Sequence, residues 1–313
     1  MRSSGPDFSL CVPHNGYAWW YIDALSDDGA HGLTIIAFVG SVFSPYYKWA
    51  RRRAAANPEH HCALNVALYG SPRRWTMTER GASKITRAED VFTIGPSALT
   101  WRDDRLIIDI RERGAPLPLA LRGRVSLRPD MLFDRTFHLD EGGQHRWRPI
   151  APLARVEVEM ESPRLSWRGK GYFDHNHGAE PLESGFSSWD WSRAHSARDT
   201  VVFYDAKPSQ DMRRELALRF RSDGAIEDIK PPGQAALPST RIWRIARRAR
   251  NSPGTPARVL KTLEDTPFYS RSIIETALDG EILAGFHESL DLGRFSMPVV
   301  QAMLPFRMPR RSH

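Results

Sequence analysis

Apolar and polar side chains alternate with a period of two along most of this chain, a pattern that commits it to extended strands. In residues 105–111, Leu106, Ile108 and Ile110 face one way while Ile107 and Asp109 face the other. Val125 and Leu127 oppose Arg122, Arg124 and Arg128, and Val156, Val158 and Met160 oppose three glutamates. Leu216, Leu218 and Phe220 repeat the theme against Arg219 and Arg221. Turn chemistry separates such runs, as at Ser26-Asp27-Asp28-Gly29, Gly70-Ser71-Pro72 and Ser222-Asp223-Gly224. The alternation predicts an all-β sandwich or barrel with few short helices. A length of 313 residues has room for two such units. The prolines at 149–152 suggest the division, giving an N-terminal β-barrel domain over 1–150 and a C-terminal one over 151–313.

The best helix candidate is 45–56, which opens on Pro45 and carries Arg51, Arg52 and Arg53. With 41% hydrophobic and 26% charged residues the composition is that of an ordinary soluble protein. The net charge of +7 favours an anionic partner such as nucleic acid or a lipid surface. Two cysteines, Cys11 and Cys62, provide no disulfide framework and point to a reducing compartment. The N-terminus lacks the apolar centre of a signal peptide. No window approaches the roughly 18 apolar residues of a spanning helix, so a soluble or peripheral protein is expected. Basic runs at 241–250 and at the C-terminus, where Phe306 neighbours Arg307, could touch anionic headgroups or lie as plain surface. Dinucleotide, phosphate-loop and nucleophile-elbow motifs are lacking, which argues against nucleotide-dependent chemistry.

Chemistry concentrates in 168–193, RGKGYFDHNHGAEPLESGFSSWDWSR. Its glycines, Gly169 and Gly171, suit a chain that must bend or approach another closely. As a strand, it sends Tyr172, Asp174 and Asn176 to one side and Phe173, His175 and His177 to the other. An acid aligned with a phenol among indole rings suggests proton transfer in an apolar pocket; a polar cluster that only fastens two sheets is the plain alternative. His175 and His177 with Glu180 or Glu183 would also suit a metal site. One hairpin upstream, His145 and Trp147 share a side and can meet Tyr172 and Asp174 across neighbouring strands.

Six strings carry a resemblance: GYAWWYIDALSDDG at 16–29, TIIAFVGSVFSPYYKWARR at 34–52, HCALNVALYG at 61–70, RWTMTERG at 74–81, GYFDHNHGAEPLESGFSSWDWSRA at 171–194 and LEDTPFYSRS at 263–272. Together they resemble the carotenoid 1,2-hydratase family, also called hydroxyneurosporene synthase, over nearly the whole chain. The resemblance implies two tandem lipocalin-like β-barrels. It also implies addition of water, without a cofactor or metal, to the terminal double bond of an acyclic carotenoid such as neurosporene or lycopene. The family's acid and aromatic set falls on Asp174, Tyr172, His145 and Trp147.

On that basis Asp174 is the expected general acid, its proton retained by burial. Trp147 and Tyr172 would shelter the cation, and His145 would orient water or recharge Asp174. Trp19, Trp20, Trp189 and Trp191 are candidate polyene contacts. A cytoplasmic protein held peripherally on the inner or photosynthetic membrane follows, with no nucleic-acid partner. Alternatives are a non-catalytic isoprenoid carrier, a metal enzyme built on His175 and His177, and a β-barrel isomerase or cyclase.

Overall fold

The structure, a computed structural model, describes residues 5–209 and 214–311. It divides into two compact units. The first holds the chain to His138, Gly142–Leu182 and the segment from Ala302; the second holds Leu139–Glu141 and Glu183–Gln301. The first opens with β1 (Tyr17–Ser26), β2 (Gly32–Val39), β3 (Cys62–Tyr69) and β4 (Arg74–Arg80). Four strands follow: β5 (Ile85–Ala88), β6 (Val91–Ile94), β7 (Ser97–Arg102) and β8 (Arg105–Arg113). Then come β9 (Ala120–Pro129), β10 (Phe137–His138), β11 (His145–Ser162) and β12 (Arg164–Gly178). The second unit carries β13 (Phe186–His195), β14 (Thr200–Pro208), β15 (Arg214–Phe220), β16 (Ile226–Asp228) and β17 (Gln234–Leu237). It ends with β18 (Arg247–Arg250), β19 (Arg258–Asp265), β20 (Tyr269–Leu278) and β21 (Glu281–Asp291). A last strand, β22 (Arg310–Arg311), returns to the first unit and pairs in parallel with β4.

In the first unit the strand order is β22-β4-β3-β2-β1-β12-β11-β9-β8-β7-β6-β5, with β10 on β11. The alternation read in 105–111 is seen directly, since Leu106, Ile108 and Ile110 are buried and Arg105 and Arg111 exposed. Strands far apart in that order meet. Thr76 Oγ1 on β4 donates to Arg113 O on β8 (3.1 Å), and Arg80 Nη2 donates to Glu112 Oε2 (2.7 Å). The sheet therefore curls round on itself. Trp20, Ile22, Ile35, Leu64, Val66, Phe92, Ile108, Val125 and Phe173 form the core inside the curl. Each well-buried aliphatic or aromatic side chain contributes about 1.5–3 kcal/mol.

The prolines at 149–152 do not divide the chain. They lie within β11, which runs unbroken through the expected boundary and pairs with β12 along its length. The strand absorbs them as bulges, with register shifts between Pro149 and Ala151 and between Ala151 and Ala154. The division falls instead after Leu182. Gly169 and Gly171 have the close approaches their sequence suggested. A Cβ on Gly169 would stand 1.9 Å from Leu25 O, and one on Gly171 would stand 2.3 Å from Val156 Cγ2. The helix at 45 is shorter than anticipated, Pro45–Arg51, with Ser44 Oγ accepting from Tyr47 N as its cap.

The second unit is a seven-stranded antiparallel sheet, β16-β15-β14-β13-β21-β20-β19, with a separate β17-β18 ribbon. Its apolar clusters are small, and among its buried side chains are arginines paired with acids. Arg271 pairs with Glu264 (2.6 Å) and Glu288 (2.8 Å), and Arg250 with Asp205 and Glu215. The basic run at 241–250 is thereby corrected in part: Arg241, Arg244 and Arg248 are exposed, but Arg247 and Arg250 are buried, and Arg247 donates to Pro238 O, Thr262 and Ser272. Those two arginines are turned away from any headgroup.

Arg80 and Glu112 are a buried pair, with Ser97 Oγ also donating to Glu112 (2.8 Å). Removing one member strands the other charge. Arg80→Met is expected to lower stability by about 3–5 kcal/mol in denaturant unfolding.

Candidate active site

β1, β12 and β11 lie side by side, and their registers decide what meets. Asp174 is opposite Tyr21 on β1 and Pro149 on β11; Asn176 is opposite Trp19 and Trp147; Gly178 is opposite Tyr17 and His145. Period two then sets Tyr17, Trp19, Tyr21, Tyr172, Asp174, Asn176, His145 and Trp147 on one face. Trp20, Ile22 and Phe173 occupy the other, which is the core face. The candidate site is thus on the face turned away from the interior of the curl. It is buried nonetheless: Tyr172, Trp147 and His145 are 0% exposed, Asp174 and Asn176 3%.

Asp174 is the centre of a hydrogen-bond set. Its Oδ2 accepts from Trp147 Nε1 and from Tyr172 OH, both at 2.8 Å. Its Oδ1 accepts from Asn176 Nδ2 at 3.2 Å. The Tyr172 phenol is held well above its ordinary value, first by burial and then by the neighbouring Asp174 charge. Tyr172 therefore stays protonated and remains a donor. Tyr21 sets its ring edge against Tyr172 (centroids 6.2 Å apart) and donates to Asp23 Oδ2 at 2.9 Å.

His145 heads a second chain of contacts. Opposite Gly178, it lies four residues along from Asp174, roughly 13 Å at a strand's rise. Its Nε2 faces Glu180 Oε1 at 3.1 Å and its Nδ1 faces Tyr17 OH at 2.8 Å. A carboxylate only accepts, so in the neutral ring Nε2 carries the hydrogen and Nδ1 accepts from Tyr17. Tyr17 in turn stacks on Trp19, with centroids 5.0 Å apart.

A family model described as carotenoid hydratase CrtC matches residues 35–313. The chain belongs to the carotenoid hydratase family. It is 54% identical over 307 residues to an acyclic carotenoid 1,2-hydratase of Thiocapsa roseopersicina, covering 98% of this chain and 76% of that one. It is 51% identical over 311 residues to the enzyme of the same name from Rubrivivax gelatinosus, with the same coverage. Among solved structures, an AttH candidate of Nitrosomonas europaea shares the fold: TM-score 0.62, 14% identity, 93% of this chain and 97% of that one.

Within this family member, the other residues singled out by sequence separate by face and by unit. Trp19 is on the Asp174 face. Trp20 is not: it is buried on the core face, packed between Phe8, Phe92 and the His175 ring. Trp189 and Trp191 are buried on β13 of the second unit, Trp189 packing on Phe186 and Tyr204. The rings of His175 and His177 stack at 5.0 Å. Glu180, which would have completed a metal site with them, is turned to His145 instead. Among the described residues, no group of three or more His, Cys, Asp or Glu is arranged to hold a metal ion.

Tyr17, Asn176 and the Glu180 contact to His145 were not assigned to the site from sequence. Alternation in GYAWWYIDA does put Tyr17, Trp19 and Tyr21 on one face, but nothing in the chain tells which strand it will pair with.

The paired histidines give a pH dependence. Burial depresses His175 well below its ordinary value, helped by His177, and burial brings His177 down to about 4. Both rings are neutral in the fold at pH 7, and their contribution is intact above the ordinary imidazole value of 6.5. It is lost as pH falls from there towards about 4, because the unfolded chain takes up the protons first. Denaturant titrations at successive pH values are expected to show stability declining through that window, less steeply in His177→Asn.

Proposed function

We propose that this hydratase-family chain adds water to the terminal trisubstituted double bond of an acyclic carotenoid, with Asp174 as general acid. The observation that carries the reading is the buried carboxyl group whose Oδ2 is occupied by Trp147 and Tyr172. The relatives named acyclic carotenoid 1,2-hydratase support the substrate class.

An isolated alkene is a poor base, so protonation is the difficult step. With two donors on Oδ2, the proton to be given resides on Oδ1. It goes to the less substituted carbon and leaves a tertiary cation. The π faces of Trp147 and Tyr172 offer that cation about 1–2 kcal/mol each without attacking it. Water then adds to the cationic carbon. The addition is redox-neutral and balances with one proton and one water, so the reading requires no cofactor. His145, whose nitrogens are committed to Tyr17 and Glu180, orders the end of this face next to Trp19. Through the part-exposed Glu180 carboxylate it can exchange protons with solvent.

The general acid is tested with lycopene in liposomes and isotopic water. Asp174→Asn is expected to fold and to lose about 10³-fold or more in alcohol formation. Near-parental turnover in that variant sinks the assignment, and unchanged polyene with the parent protein selects a carrier instead.

A polyene resides in lipid, and we place the contact with a bilayer surface on one rim of the first unit. Leu117 and Leu119, 69% and 47% exposed, project from the loop between β8 and β9. Gly114 N donates to Leu119 O, and a Cβ on Gly114 would meet Trp75 O at 3.2 Å, which sets the loop beside Trp75. The Arg307 guanidinium lies 4.2 Å from the Trp75 ring, and the adjoining Phe306 is 75% exposed. Arg73, Arg74 and Arg113 flank the same rim. In the tail itself, Leu304 and Met308 are buried, so only part of it is available to lipid. No helix among the described residues is long and apolar enough to cross a membrane; peripheral attachment on the cytoplasmic side of the inner or photosynthetic membrane fits this reading. Replacing Leu117, Leu119 and Phe306 together by Ser is expected to weaken co-sedimentation with anionic vesicles by about tenfold or more. Unchanged partitioning would count against the rim.

A further inference from the structure

We propose that Asn176 holds the nucleophilic water and that Asp174 takes back from it the proton it gave; this rests on the acid assignment above. Asn176 follows Asp174 by two residues on β12 and shares its face. On the flanking strands it is opposite Trp19 and Trp147. Its Nδ2 donates to Asp174 Oδ1, the oxygen left for the mobile proton. Its own Oδ1 is buried and has no hydrogen-bond partner among the described residues. Leaving a buried amide oxygen without a donor is costly, so such an atom is retained where something fills the need.

The chemistry narrows what that something is. The group must have a hydrogen to donate, and a carotenoid hydrocarbon end has none. Water, the other substrate of the reaction, does. Donating one hydrogen to Asn176 Oδ1, the water keeps a lone pair for carbon and stays within reach of Asp174 Oδ1. In the first step the O–H bond of Asp174 breaks and the alkene π pair forms the new C–H bond. In the second the water lone pair forms the C–O bond to the tertiary cation. The resulting oxonium then loses its extra proton to the Asp174 carboxylate. Alkene and water have become alcohol, and the acid is restored. No second base is needed, which agrees with both nitrogens of His145 being engaged elsewhere.

A cation formed without a positioned water has another exit: it returns a proton from an adjacent carbon to Asp174 and becomes alkene again. In heavy water this writes deuterium into the recovered polyene, and the two steps become separately visible. The full-length parent, Asn176→Leu, Asn176→Ser and Asp174→Asn are incubated with lycopene in liposomes in heavy water, and alcohol and polyene are analysed by mass spectrometry. Asn176→Leu, near in volume but with no acceptor, is expected to lose about 100-fold in alcohol while deuterium still enters the polyene. Asn176→Ser, which keeps an acceptor oxygen, is expected to recover at least about tenfold of that loss. Asp174→Asn should lose both signals. Alcohol from Asn176→Leu within about threefold of the parent overturns the proposal, as does joint loss of alcohol and exchange in a variant whose unfolding transition matches the parent's. Should Asn176→Leu not fold, Asn176→Ala and Asn176→Ser provide the same comparison. Continued hydration by Asp174→Asn would be a failure of the acid assignment itself.

Discussion

The register of β12 between β1 and β11 is the constraint on which the rest of the site depends. Slipping β12 by one residue would turn Asp174 into the apolar core and bring Phe173 out in its place. Two features hold it. Gly169 permits a backbone approach that any Cβ would prevent, standing 1.9 Å from Leu25 O. The bulges between Pro149 and Ala154 then let β11 follow both β12 and β9 without losing the pairing that sets Trp147 beside Asp174. Two donors from different strands reach one carboxylate oxygen because of that alignment.

The same strand serves two environments. On the core face His175 is stacked against Trp20 and kept neutral by burial. On the opposite face, one residue away, Asp174 has three hydrogen-bond donors around it. Burial keeps the imidazole uncharged, whereas the acid is held in place by donors from two strands, all aimed at its oxygens. The Tyr172 phenol, pushed up by burial and by Asp174, remains a fixed donor. The two oxygens of Asp174 are consequently unlike: one is tied by two short bonds, the other has a single longer contact.

Much of this was legible in the chain. Alternation in 105–111, 121–128 and 155–161 announced strands that the structure contains, and the likeness carried by GYFDHNHG and GYAWWYIDA agrees with the family to which the chain belongs. The alternation of Tyr172, Asp174 and Asn176 on one side of β12 was readable for the same reason. Other features misled. The prolines at 149–152 looked like a linker because isolated prolines break regular pairing, but a bulged strand tolerates them. The arginines at 247 and 250 looked like a solvated surface because a run of like charge usually is one. Here, Asp205, Glu215 and backbone oxygens repay their desolvation.

Sequence by itself determined the strands, the residues that share a face within each strand, and the family, since all three follow from local periodicity and from strings of neighbouring residues. The tertiary structure decided which strands lie side by side, and so that Trp147, Tyr172 and Asn176 converge on Asp174 while His145 is drawn to Tyr17 and Glu180. It also decided that the acid is on the side away from the curl's interior. Those outcomes depend on pairing and curvature between segments far apart in the chain, such as Tyr17 and His145, which are 128 residues apart. Alternation within a strand is the same whichever neighbour it meets.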